Sequence, residues 1–168
     1  MRIAICPGSY DPVTFGHLNV IKRSAVLFDK VIVAVMVNSE KTTMFTAEQR
    51  VKMLKEATAD IPNVEIEESS GLVAEYAKQK GASALIKGLR AVTDFEYEFQ
   101  MALINKKLNP GLETVFIATD MQFMFLSSSS VREIANFGGD LSDFVPLSVE
   151  KAIREKCEAK IHFGEGKT

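Results

Sequence analysis

Two hydrophobic rhythms alternate along the chain. Short apolar runs rich in Val and Ile, most of them nearly continuous, recur at Arg2–Cys6, Lys30–Val37, Val64–Glu67, Ala84–Lys87 and Thr114–Ala118. Such runs predict strands covered on both faces, because a half-wet strand would alternate apolar with polar positions. Between them lie longer stretches with helical spacing, at His17–Phe28, Ala47–Ala59, Val73–Lys80 and Asp94–Leu108. Thr46 with Gln49 predicts a capping box opening the second helix, and Ser130 with Glu133 predicts another later. A final helix is expected from about Ser148 to Cys157, followed by a loose tail over 158–168. Strands alternating with helices imply a Rossmann-like α/β fold, a five-stranded parallel sheet with right-handed crossovers and helices on both faces. No repeat, low-complexity tract or linker interrupts the 168 residues, so one domain spanning 1–168 is expected.

The helix at Asp94–Leu108 departs from this scheme. At about 100° per residue, Phe95, Phe99, Ala102 and Leu103 form one apolar stripe. Tyr97, Met101, Ile104 and Leu108 form another nearly opposite. Deep burial within one domain is one explanation. A helix flanking a sheet normally keeps one face wet, however, so the second stripe is read as a subunit interface.

Composition narrows the partners. A chain that is 46% hydrophobic and 25% charged is ordinary for a globular protein. A net charge of −2 gives no general attraction to nucleic acid or to an anionic membrane, and neither is expected as a partner. A phosphate ligand must therefore be caught by local positive charge. Cys6 and Cys157 have no metal or redox spacing, and Cys6 reads as a small apolar residue closing a strand. The N-terminus has no secretory pattern, and the longest clean apolar run, Val31–Val37, is too short for a bilayer. A cytoplasmic location is the expectation.

The chemistry collects where strands end. The first strand runs into Pro7-Gly8-Ser9-Tyr10-Asp11-Pro12-Val13-Thr14-Phe15-Gly16-His17, a glycine-bearing turn leading to a helix start. Free N–H groups and the helix dipole make such a start an anion site, with His17 aimed at it. Gly8 is expected to let a ligand approach the backbone, and Gly16 to keep space open beside His17. Asn38, Ser39 and Lys41 follow the second strand, and Lys87, Gly88 and Arg90 the fourth. The fifth leads to Ser127-Ser128-Ser129-Ser130-Val131-Arg132, a second anion nest at a helix start near Ser129 or Ser130. Ligands of parallel sheets bind beyond the carboxyl ends of strands, so four segments deliver phosphate-compatible groups to one edge.

Each residue also has a plainer explanation. His17 could be an ordinary helix-start residue, Lys41 a solvated loop lysine and the serine run a flexible loop. Asp11 with Pro12 is read as shaping the turn. Glu98 fits either a rim charge or a nucleotide contact. No phosphate loop ending in Gly-Lys-Ser/Thr is present, no Gly-x-Gly-x-x-Gly and no serine elbow, and the other histidine, His162, lies in the tail. Covalent catalysis is therefore not expected; direct transfer between phosphates is.

Thr14-Phe15-Gly16-His17 resembles the (H/T)xGH signature of the nucleotidyltransferase superfamily, and Ser127–Arg132 its companion serine-rich element. Met44-Phe45-Thr46, Lys87-Gly88-Leu89-Arg90-Ala91-Val92 and Asp94-Phe95-Glu96-Tyr97-Glu98 are similar to the bacterial phosphopantetheine adenylyltransferase family of coenzyme A biosynthesis, a likeness running from Arg2 to about Cys157. The resemblance implies transfer of AMP from ATP to 4'-phosphopantetheine, giving dephospho-coenzyme A and pyrophosphate, with Mg2+ carried by the ATP phosphates rather than by a protein site. It implies that His17 and Lys41 are catalytic and that Ser9, Lys41, Val73 and Lys87 hold the acceptor. ATP would be held by Ser9, Tyr10, His17, Gly88, Leu89, Arg90 and Glu98, and by Phe123, Met124, Phe125, Leu126, Ser127, Ser128 and Ser129. It also implies a homohexamer, in keeping with the doubly apolar helix. Ser9 stands where threonine is common, Lys87 where arginine is frequent and Phe123 where some members carry tryptophan; none removes a needed group. Two rivals share the histidine and serine elements: a nucleotidyltransferase with another acceptor, such as nicotinate mononucleotide, and a non-catalytic nucleotide-sensing module.

Overall fold

A computed structural model describes residues 1–38 and 42–164, with side chains as far as Glu158. The sheet contains β1 (Ile3–Gly8), β2 (Lys30–Val37), β3 (Val64–Ser70), β4 (Ala84–Leu89) and β5 (Glu113–Ala118). The strands are all parallel, in the order β3-β2-β1-β4-β5. The helices are α1 (Phe15–Leu27), α2 (Ala47–Ala57), α3 (Val73–Gln79), α4 (Val92–Leu108), α5 (Ser128–Asn136) and α6 (Leu147–Gly164). The order of strands reverses at β1, which leaves a crevice beyond its carboxyl end.

The core lies on both sides of the sheet, as continuous apolar strands require. Ala4, Cys6, Val31, Val33 and Val35 face one way, against Leu18 and Ile21 of α1, Leu54 of α2, Val131 of α5 and Val149 and Ile153 of α6. Ile5, Ile32, Ala34 and Leu85 face the other way, against Ala74 and Ala77 of α3. Helix α4 packs beside α3 and over β4 and β5, yet Asn105 is its one buried residue.

Several boundaries differ from the sequence expectation. Strands β1, β3 and β4 run on at their carboxyl ends because the parallel ladder continues through Gly8↔Val35, Val37↔Ser70 and Leu89↔Ala118 whatever the side chains. Lys87 and Gly88 therefore lie within β4, not after it. Thr46 and Gln49 form the expected capping box. The box expected at Ser130 and Glu133 does not form: Ser127 is the cap of α5, its hydroxyl accepting the Ser130 N–H at 3.0 Å. Helix α6 continues past Cys157 to Gly164, so the stretch read as loose tail is helical that far. Glu158-Ala159-Lys160 contains only good helix formers, and no glycine or proline intervenes before Gly164.

Candidate active site

A cleft of about 360 Å³ opens beyond the carboxyl ends of β1 and β4, walled by α1, α4 and the start of α5. Its floor is set by the turn after β1. Tyr10 sits there at φ 51°, a left-handed conformation that costs a non-glycine residue about 1–2 kcal/mol. The cost is offset because the Tyr10 hydroxyl donates to the Cys6 carbonyl at 2.8 Å and its ring meets the His17 imidazole edge-on at 5.0 Å. Gly8 is required by this arrangement: a Cβ there would stand 2.9 Å from the Tyr10 ring. Its glycine thus serves packing as much as ligand approach. A Cβ at Gly16 would meet only ordinary contacts, the nearest at 3.5 Å, so no clash demands that glycine.

His17 is the N3 residue of α1. Thr14 caps the helix, and the Thr14 N–H donates to His17 Nδ1 at 3.1 Å. A backbone N–H can only donate, so Nδ1 carries the lone pair and the ring proton sits on Nε2. Burial holds the imidazole pKa down to about 4, with the Arg90 guanidinium adding to the effect. His17 is therefore a neutral N–H donor at pH 7, lining the cleft with its tautomer set by its own helix cap.

Around it the cations are spoken for by carboxylates. Lys87 Nζ lies 3.0 Å from Glu98 Oε2 and 3.4 Å from Oε1. Oε2 has no aligned hydrogen bond, so this is a close ion contact with spare acceptor capacity. Arg90 Nε lies 3.2 Å from Asp94, and its Nη1 donates to the Leu126 carbonyl at 3.1 Å, tying β4 to the approach of α5. Gly88 lets β4 lie close to α1, since a Cβ there would stand 2.7 Å from Val20 Cγ2. At the start of α5, Ser127, Ser128 and Ser129 reach the cleft wall. The Ser128 hydroxyl is committed to the Pro12 carbonyl at 2.8 Å and the Ser130 N–H to the Ser127 hydroxyl, leaving the backbone N–H groups of Ser128 and Ser129 as the anion donors.

The cleft brings together Tyr10, His17, Lys87, Gly88, Arg90, Glu98, Leu126 and Ser127–Ser129. Glu98 lines the cleft wall, where it pairs with Lys87. Other expected residues stand off the wall. Ser9 lies in the turn, its carbonyl accepting from Arg50 at 2.6 Å. Val73 opens α3 after β3, two strands from β1, and packs on the opposite side of the sheet. Leu89 ends β4. Phe123 packs against the core, whereas Met124 and Phe125 are exposed. Lys41 and Ser39 lie outside the described residues. Cys6 is buried at the cleft floor, and burial pushes its thiol up to about 12, so it behaves as the small apolar residue expected.

Sequence reasoning missed three supports. Arg50, Asp11 and Arg132 bond the turn to α2, to the Met44–Phe45 segment and to α5. Arg50 left a signal, since it precedes Met53 and Leu54 by three and four residues on the apolar face of α2. Arg23 and Asn19 hold Asp120 at 3.1 and 2.7 Å, anchoring the segment after β5 to α1. Among the described residues, no three or more His, Cys, Asp or Glu gather as a metal cage, and no helix is long and apolar enough to cross a membrane.

Residues 5–134 match the cytidylyltransferase-like family. The backbone superposes on the nicotinic acid mononucleotide adenylyltransferase of Plasmodium falciparum with a TM-score of 0.65 over 92% of this chain and 95% of that one, at 14% identity. At that identity the likeness speaks for the fold. The chain is 60% identical over 156 residues to the phosphopantetheine adenylyltransferase of Caldanaerobacter subterraneus subsp. tengcongensis, spanning 93% of this chain and 98% of that one. It is 53% identical over 166 residues to that of Desulforudis audaxviator, spanning 99% and 100%. With near-complete coverage at these identities, the chain belongs to the phosphopantetheine adenylyltransferase family of nucleotidyltransferases.

Proposed function

We propose that this chain transfers AMP from ATP to 4'-phosphopantetheine, releasing pyrophosphate and dephospho-coenzyme A. The single observation that carries the chemistry is the neutral His17 imidazole, its Nε2–H left as donor, in one cleft with Lys87, Arg90 and the start of α5. An oxygen of the acceptor phosphate attacks the α-phosphorus of ATP in line, and the bond to the pyrophosphate oxygen breaks. No proton is transferred, so no general base is needed. The difficulty is bringing two polyanions together and holding the charge that builds on the α-phosphate, which preorganised donors answer. In this reading His17 Nε2–H serves the α-phosphate oxygens and Lys87 the acceptor phosphate. Arg90 and the α5 amides serve the β- and γ-phosphates, and Lys41 bridges the two reactants. Mg2+ carried in on the ATP phosphates would neutralise part of their charge.

The test offers ATP with 4'-phosphopantetheine, nicotinate mononucleotide or a small phosphorylated alcohol and follows pyrophosphate. Release with 4'-phosphopantetheine alone is the expected outcome. Calorimetric ATP binding without turnover of any acceptor would instead make the chain a nucleotide sensor. Free thiols at Cys6 and Cys157 suit a reducing compartment such as the cytoplasm.

The same reading includes a homo-oligomer built on α4, a hexamer by resemblance. Tyr97, Leu103 and Ile104 are 64%, 57% and 50% exposed, a large apolar surface for one helix to leave in water. Ile104→Glu is expected to shift the assembly to smaller species in sedimentation velocity. An unchanged sedimentation coefficient would exclude α4 as the interface.

A further inference from the structure

Asp11 is 5% exposed in the turn between β1 and α1, and its bonds are long-range. Oδ2 accepts the Met44 N–H at 2.8 Å and Oδ1 the Phe45 N–H at 2.9 Å. Its own carbonyl accepts from Arg132 Nη1, whose guanidinium also stands 3.7 Å from Oδ2. The neighbouring Pro12 carbonyl accepts the Ser128 hydroxyl. An aspartate that merely shapes a turn bonds its own backbone about two residues on. This one clamps a segment more than 30 residues downstream on one side and faces a helix more than 100 residues downstream on the other.

We propose that Asp11 is a positioning residue that fixes the Met44–Phe45 segment, which precedes α2, against the cleft side formed by α5 and His17. The proposal rests on the adenylyl-transfer reading above. Met44 and Phe45 close the connection that leaves β2 and carries Lys41, while Arg132 and Ser128 belong to the helix whose amides face the cleft. The turn held between them leads directly to Thr14 and His17. In-line transfer depends on the separation of two reactants held by different segments, and a displacement of about 1 Å costs about 100-fold in rate. A residue joining the two sides should therefore be felt in turnover more than in the affinity of either side alone.

Asp11→Asn keeps the shape but puts an NH2 group opposite one of the two N–H donors. The expected result is a fall in kcat of about 30- to 100-fold. ATP affinity, measured calorimetrically without acceptor, should stay within about threefold and the KM for the acceptor should rise. Thermal melting reports whether the variant is folded; if it is not, Asp11→Ser, which retains one acceptor oxygen, takes its place. A kcat within about threefold of wild type overturns the proposal, as does an ATP affinity that falls in step with kcat. Loss of the fold in both variants also overturns it, since the residue is then structural only. The wild-type assay run alongside judges the functional reading separately. If another acceptor is the one consumed, the variant ratio is read with that acceptor.

Discussion

His17→Ala is expected to lower turnover by about 10²- to 10³-fold, about 3–4 kcal/mol of barrier, while ATP binding changes little. The size follows from what the imidazole does. Its Nδ1 is occupied by the Thr14 N–H, so the Nε2 proton remains the donor where charge develops on the α-phosphate. An interaction realised in the transition state and not in the ground state is lost from kcat rather than from binding. Steady-state rates set beside calorimetric ATP affinity make the check, and near-normal turnover would remove His17 from catalysis.

A pH dependence accompanies it. The folded imidazole titrates near 4, below the ordinary value of about 6.5 that the unfolded chain retains. Between these values the unfolded state binds the extra proton. The contribution of a neutral His17 to stability is thus complete above about pH 6.5 and is lost as pH falls through 4. Turnover should show no limb near pH 6.5 from this residue. A limb there that vanishes in His17→Ala would contradict the neutral-donor role.

Lys87→Met is expected to reduce kcat/KM for the acceptor by about 10- to 100-fold, the range of a charge-assisted contact worth about 1.5–3 kcal/mol. Two effects add. The cation for the acceptor phosphate goes, and Glu98, which had lain 3.0 Å from it, is left as a bare carboxylate facing an incoming anion. Adding Glu98→Gln should therefore recover part of the loss, because the repulsion disappears although the attraction does not return. Initial rates over a range of acceptor concentrations for both variants decide the matter. No recovery in the double variant would mean that Glu98 does not act through its charge on Lys87.

Much of the cradle was legible because it is local. The Thr46–Gln49 box and the strand runs depend on residues within a few positions of one another; the serine run instead caps its helix at Ser127 and forms no box at Ser130 and Glu133. The Lys87–Glu98 pairing was harder. It joins a strand to a helix face, so the sequence left Glu98 open between two roles until β4 was seen to extend through Leu89 and aim Lys87 at α4. Val73, which the resemblance gives to the acceptor, opens α3 two strands from β1 on the other face of the sheet, a placement that depends on strand order and not on local pattern. Asp11 and Arg132 gave no pattern, since their partners lie 33 to 121 positions away.

Alternating apolar rhythms are enough to impose a covered parallel sheet, because strands wet on neither face must be flanked by helices on both. The motif at the end of β1 is likewise enough to put an imidazole at a helix start. What required the folded chain was the state of that imidazole and the company it keeps. Its proton position comes from a backbone N–H, its neutrality from burial beside Arg90, and the meeting of turn, β4 and α5 from contacts between distant segments. Periodicity carries information about which face is buried, but not about which polar atoms meet across a crevice; that is decided when the sheet twists and closes on its loops.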